Sequence, residues 1–297
     1  MSIDRDALLK SFSEGYALAY DKLGPEGIDA ILERGRRWHL APVLKNGGLL
    51  SFPHVHLADC GPFTAAVVHA CLNTDADRIL AVSVLHPFTD EMENARLRVA
   101  TGASRAEDEP LRGIFGPGLE HANDTRTWEK DHALYGFRRL LAEEAQRRGI
   151  KPPQLIERYP YLTGEHPETL PGIQELAEIA KDAVVISTAD HCHHGVGYGD
   201  ERQNALYFDE SGIAEIRHRI EAGLTLLDEK QYLAYNRHCF EVTRSDWRDA
   251  GPVLHHLLGP LHSTVIDIIP SDFSTGIYNA PTPTWVAGAL VMAETHD

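Results

Sequence analysis

Short, nearly unbroken apolar runs alternate along this chain with longer stretches in which apolar residues recur at helical spacing. Leu49-Leu50-Ser51-Phe52, Ile79-Leu80-Ala81-Val82-Ser83-Val84-Leu85 and Val184-Val185-Ile186-Ser187-Thr188 have the length of strands and carry no charge. Such runs read as strands of a sheet covered on both faces. From Leu49 onward the pattern predicts strand 49–54, helix 61–72, strand 78–85, helix 128–148, strand 154–159, helix 167–181 and strand 182–188. Helices follow near 211–225, 228–236 and 245–259, with late strands at 263–269 and 285–292. This alternation is that of an α/β chain, here a single three-layer α/β/α domain with a central mixed sheet over residues 46–297. Ahead of it, Asp4 to Lys22 and Pro25 to Trp38 read as two helices, the second opening on a proline suited to a first helical turn. They form an N-terminal helical extension over residues 1–45.

Two connections, 87–127 and 189–210, are too long for turns, and both run out of predicted strands. Long loops in compact domains commonly carry function. The 297 residues suffice to bury a large core without disulfides. The four cysteines show no paired spacing, which argues against a zinc ribbon or a disulfide framework and for a cytoplasmic protein. The charged N-terminus does not resemble a signal peptide, and no apolar run approaches a membrane span. A net charge of −16 without basic clusters argues against nucleic acid as a partner. The expected partner is a small molecule, and a homo-oligomer is compatible with the sequence.

Histidine alters this picture. Of 17 histidines, three stand where apolar runs end: His54, His86 and His193. In open α/β sheets ligands bind at the carboxyl ends of strands, so the three coincidences suggest one metal site. Further donors lie beside them. His56 follows His54 by two positions, Asp190-His191-Cys192-His193-His194 offers carboxylate, thiol and three imidazoles, and Tyr235-Asn236-Arg237-His238-Cys239-Phe240-Glu241 adds oxygen, nitrogen and sulfur. So many polar groups at the end of a buried strand must find partners.

The order of Pro53-His54 with Gly61, Leu85-His86, Asp131-His132-Ala133-Leu134, Ser187-Thr188-Ala189-Asp190-His191-Cys192-His193-His194-Gly195 and Val286-Ala287-Gly288-Ala289-Leu290 resembles the Memo family. That family is similar in fold to the class III extradiol ring-cleavage dioxygenases. The resemblance begins near Leu49 and leaves the N-terminal helices outside it. It implies that His54 and His86 bind a metal, that His193 serves as acid or base, and that Asp190 lies beside it. Tyr235 aligns with the family's cysteine near the metal, so the third ligand is Tyr235, His238, Cys239 or Glu241. His56, His132, His191 and His194 are additional ligand or substrate contacts. Arg126, Trp128, Tyr198, Phe273, Tyr278 and Trp285, with Asp272 and Asn279, are candidates to line a pocket.

Two histidines and one further ligand leave open positions, the arrangement by which non-haem Fe(II) oxygenases hold substrate and O₂ together. The expected activity is therefore an Fe(II)-dependent dioxygenase of extradiol type acting on a catechol-like or aminophenol-like substrate. Two alternatives use the same ligands: a zinc hydrolase, and a Memo-like redox protein that holds iron or copper without turnover.

Overall fold

A computed structural model describes residues 5–119, 126–275 and 280–295, apart from the side chains of residues 5–9 and 12. Each long apolar run forms a strand: β1 (Leu49–Phe52), β2 (Arg78–Ser83), β4 (Gln154–Tyr161) and β5 (Val184–Thr188), with the short β3 (Gly113–Phe115) between the second and third of these. β6 (Cys192–Gly195), β7 (Leu261–Asp272) and β8 (Thr284–Thr295) complete one mixed sheet among the described residues, in the order β3-β4-β2-β5-β1-β8-β6, with β7 paired to β8. The central strands β4, β2, β5 and β1 are parallel, while β3, β6, β7 and β8 pair antiparallel.

The period of two along each strand separates two cores. Leu50, Phe52, Ile79, Ala81 and Ile186 face one, and Leu49, Leu80, Val82 and Val185 face the other. The first is covered by α1 (Arg5–Gly35), α3 (Leu57–Leu72) and α5 (Tyr135–Arg148), which contribute Leu32, Phe63 and Phe137. The second is covered by α6 (Ile173–Ala180), α7 (Glu210–Asp228) and α9 (Ala250–Leu257), which contribute Leu176, Ile216 and Val253. This is the expected three-layer arrangement. Shorter helices α2 (Ala41–Lys45), α4 (Asp90–Ala100) and α8 (Tyr232–His238) lie in the connections.

The N-terminal helices are packed into the domain. Ile28, Ile31 and Leu32 are buried in the core that holds Leu50 and Phe52, and His69 Nε2 on α3 lies 2.7 Å from the Leu32 carbonyl. α1 bends at Gly24 (φ 60°, ψ −179°), a conformation glycine adopts at little cost, and Pro25 starts the second limb. Asp4, where the first helix is predicted to start, lies outside the described residues.

Several predicted boundaries shift, among them helix 245–259, which is α9 over Ala250–Leu257. Helix 128–148 begins at Tyr135 after a 3₁₀ turn over Thr127–Lys130, and helix 167–181 shortens to Ile173–Ala180. His193 does not simply follow β5: it lies within β6, paired with Val286 of β8. In a segment of four residues, Cys-His-His-Gly, the pairing comes from β8 and not from local propensity.

Candidate metal centre

The strand order brings the carboxyl ends of β2, β5 and β1 side by side, so the residues that follow them converge. Pro53 turns the chain out of β1, and Gly288 on β8 admits it, since a Cβ there would lie 3.1 Å from the Pro53 ring. His54 follows, held through its backbone N–H, which donates to Asp190 Oδ1 at 3.1 Å. After β2, His86 is fixed at two points by Asp131 Oδ2, which accepts from its backbone N–H at 2.8 Å and lies 3.0 Å from its Nδ1. Asp131 Oδ1 accepts from the N–H of Ala133, so the carboxylate is itself held.

These contacts set the tautomers. Thr188 Oγ1 donates its proton to the Phe52 carbonyl at 2.9 Å, so it accepts from His54 Nδ1 at 3.2 Å. A carboxylate oxygen likewise takes the proton of His86 Nδ1. The carbonyl of Arg244, 2.8 Å away, takes that of His193 Nδ1. All three imidazoles therefore turn Nε2 inward, the atom at which histidine takes up a proton or a metal.

The inward atoms meet two carboxylates. His54 Nε2 lies 3.3 Å from Asp246 Oδ2 and 3.6 Å from Asp190 Oδ2. His86 Nε2 lies 3.9 Å from the same Asp246 oxygen, and His193 Nε2 lies 4.0 Å from Asp190 Oδ2. Two sets of metal-compatible donors share His54: one with Asp190 and Asp246, the other with His86 and His132. Asp246 precedes α9, and its Oδ1 accepts from the N–H of Asp190 at 2.9 Å. Its other oxygen is buried without a hydrogen-bond donor. A buried carboxylate oxygen in that state, facing the Nε2 atoms of two imidazoles, fits a cation in the space between them.

Electrostatics agree with that fit. Burial disfavours imidazolium at His54, yet Asp190 and Asp246 outweigh it and raise its pKa to about 9. Asp246 is also buried, but the surrounding histidines, His54 foremost, hold its pKa well below the ordinary value. A site that concentrates negative charge on an inward imidazole attracts a proton or a metal ion to the same atom. Burial lowers the pKa of His193 against the pull of Asp246 and Asp190. Burial and neighbouring His86 push His132 down to about 3, so it is neutral.

The predicted residues divide accordingly. His54, His86, His193 and Asp190 meet at one place, and His132 joins them, its ring stacked on that of His86 at 4.7 Å. His56 stands at the start of α3, stacked on Phe273 at 5.7 Å. His191 turns to Ser51 Oγ at 3.1 Å and to the edge of Trp247, and burial pushes its pKa down to about 4. His194 accepts from the N–H of Leu206 and faces Asp200 Oδ2 at 3.0 Å. His238 reaches the Arg219 carbonyl on α7 at 2.8 Å, and Glu241 is exposed. Burial raises Tyr235 far above its ordinary range, and its hydroxyl faces Cys239 and Ser245. Burial likewise pushes the Cys239 thiol up to about 12. Cys239 stands outside the two groups of donors that share His54.

Two carboxylates, Asp190 and Asp246, gather at His54, and Asp246 lies beyond the Tyr235–Glu241 segment in which the third ligand is expected. Asp246 and the clamp Asp131 are two positions at this cluster that sequence reasoning did not assign. Asp131 was visible only as part of a motif, and Asp246 stands inside what reads as helix 245–259.

Among the pocket candidates, Tyr198 meets His193 edge-on at 5.0 Å, and Trp285 is fully buried against His194. Trp128 stacks on Tyr159 at 6.2 Å, and Arg126 pairs with Glu129. Asp272 accepts from Ser274. Tyr278 and Asn279 lie outside the described residues. No helix among the described residues is long and apolar enough to cross a membrane. The chain matches no known family model and no curated protein.

Proposed function

We propose that this chain is a mononuclear metal enzyme, an Fe(II)-dependent oxygenase of extradiol type, acting on a small catechol-like or aminophenol-like ring. The observation that carries the proposal is the convergence of His54 Nε2, His86 Nε2 and Asp246 Oδ2. Two imidazoles and one carboxylate would be the donor set of non-haem iron oxygenases. The motifs shared with the Memo family, and through it with the ring-cleavage dioxygenases, support the same reading. A carboxylate as third donor favours iron over copper, because the cysteines stand apart from the donor set. The Cys60 thiol, for one, donates to the Val55 carbonyl at 3.3 Å.

Iron held by His54, His86 and Asp246 would supply Lewis acidity and a site for O₂. The chain's residues supply the rest. Thr188 and Asp131 orient the two histidine ligands, and such outer partners commonly affect metal affinity as well as geometry. His193 presents Nε2 toward the same space, with its Nδ1 held by a backbone carbonyl, so it takes a substrate hydroxyl proton and later returns it. Asp190 lies between His54 and His193 and favours the imidazolium that forms when His193 accepts that proton.

Protein purified without chelator is expected to carry iron, and to consume oxygen when given catechol or 2-aminophenol. The variant His54→Ala should lose both. Full oxygen uptake by that variant refutes the proposal. Turnover that persists without oxygen in zinc-loaded protein replaces it with a hydrolase.

A further inference from the structure

The metal pocket is ringed by aromatic and imidazole side chains, and one of them comes from outside the segments that resemble the Memo family. Tyr16, on the first limb of α1, places its ring 4.9 Å from His132 and 5.7 Å from His56. On one side of it, His132 stacks on His86 at 4.7 Å with 21° between the planes. On the other, His56 stacks on Phe273 at 5.7 Å and 7°, and Tyr198 packs against the cluster that contains Phe273. Tyr198 in turn meets His193. Among the described residues this circuit of rings thus runs from His86 to His193, and Tyr16 bridges its middle.

The position of Tyr16 is fixed by the fold. One turn further along the limb, Tyr20 is buried in the first core, and one turn before, Ser13 Oγ donates to the Lys130 carbonyl at 3.2 Å. Between this limb and residues 129–138 lies a cavity of about 400 Å³, which His132 lines. The Tyr16 ring meets this cavity's edge through its contact with His132, so a ligand that reaches the histidine cluster from the cavity would pass beside Tyr16.

We propose that Tyr16 closes this circuit and determines which planar ligands reach the metal, by stacking on a single ring and excluding substituents on its side. This rests on the metal-enzyme reading above, and makes the N-terminal helix part of the substrate site. Aromatic rings gain from offset or tilted contacts at these separations, so Tyr16 favours a compact ring over a saturated or branched ligand.

The test uses the full chain loaded with Fe(II) without oxygen, titrated with catechol and with 3-phenylcatechol. The wild type should prefer catechol. Tyr16→Ala should cut that preference by about tenfold, a change typical of a reshaped apolar pocket, while Tyr16→Phe keeps it and iron content stays constant in both. An unchanged preference in Tyr16→Ala overturns the proposal. A second measurement does not depend on metal: acylation of His56 and His132 by diethylpyrocarbonate, followed by peptide mass in metal-free protein. Faster acylation in Tyr16→Ala supports the wall, and equal rates overturn it. If the iron-loaded wild type binds neither catechol, the oxygenase reading falls, and the acylation rates still decide the role of Tyr16. Should Tyr16→Ala fold poorly, Tyr16→Leu gives the same two readouts.

Discussion

Replacing Asp246 with asparagine removes one charge and almost no volume, so its effect is calculable. Asp246 Oδ2 stands 3.3 Å from His54 Nε2 and Asp190 Oδ2 stands 3.6 Å away. Burial by itself would depress His54, but the two carboxylates together raise its pKa to about 9. Against the ordinary 6.5 this is a net preference for the imidazolium of about 3 kcal/mol. A unit charge at that distance contributes about 5 kcal/mol at an effective dielectric constant near 20. The loss of one carboxylate therefore exceeds the whole net gain, and His54 should return to its ordinary pKa or fall below it. Asparagine keeps the carbonyl oxygen that accepts from the N–H of Asp190, so the loop should hold. Histidine NMR on chelator-treated protein, with His54 assigned through His54→Gln, follows the titration directly. In the metal-bound state the same charge is a direct donor. Outer partners alone change affinity by about 10- to 100-fold, so Fe(II) or Mn(II) calorimetry should show at least the upper end of that loss. A His54 that still titrates near 9 in the variant, or metal affinity equal to wild type, refutes the electrostatic account of the site.

Three further outcomes follow from the same geometry. Asp131→Ala frees the His86 ring from its clamp and should weaken metal binding by about 10- to 100-fold in calorimetry; wild-type affinity would mean that the clamp is irrelevant. His193→Gln should keep iron but lower oxygen uptake with catechol by about 10²- to 10⁴-fold, whereas joint loss of iron would make His193 a ligand. His132 and His191 are held neutral by burial, with pKa values pushed down to about 3 and about 4. Their contribution to stability is present above the ordinary 6.5 and is lost as pH falls toward those values, because the unfolded chain takes up protons that the folded chain refuses. His54 acts in the opposite sense: its contribution is full below about 6.5 and disappears as pH rises through about 9. Urea midpoints of metal-free protein across this range should fall on the acid side, and His132→Asn should flatten that fall; an unaltered slope would sink the assignment.

Much of this protein is legible in its residue order, for a local physical reason. Apolar runs such as Leu49–Phe52 and Val184–Thr188 can be satisfied only between two covering layers, so strand identity and the three-layer class follow from the pattern alone. The positions of His54 and His86 follow as well, because a histidine just beyond a buried parallel strand stands at the carboxyl edge of the sheet. What the pattern does not contain is which elements meet across that edge. The order β2-β5-β1 is a matter of tertiary pairing, and it sets the end of β5, which Asp190 follows, between the strands that lead to His54 and His86. Asp246 lies 56 residues further along and is brought in by its hydrogen bond to the Asp190 backbone, a contact with no local signature. Tyr235 and Cys239, nearer in sequence to the expected ligand position, turn into the second core instead. The N-terminal helices show the same division. Their helical period is written in residues 5–35, but that they share the core, and that Tyr16 touches His132, was decided by the packing of α1 over the domain. Residue order determined the elements and the strand-end histidines through local burial and period. Only the three-dimensional pairing of distant segments decided that Asp246 faces His54, that Asp131 clamps His86 and that Tyr16 touches His132, because those contacts exist only once the sheet has assembled.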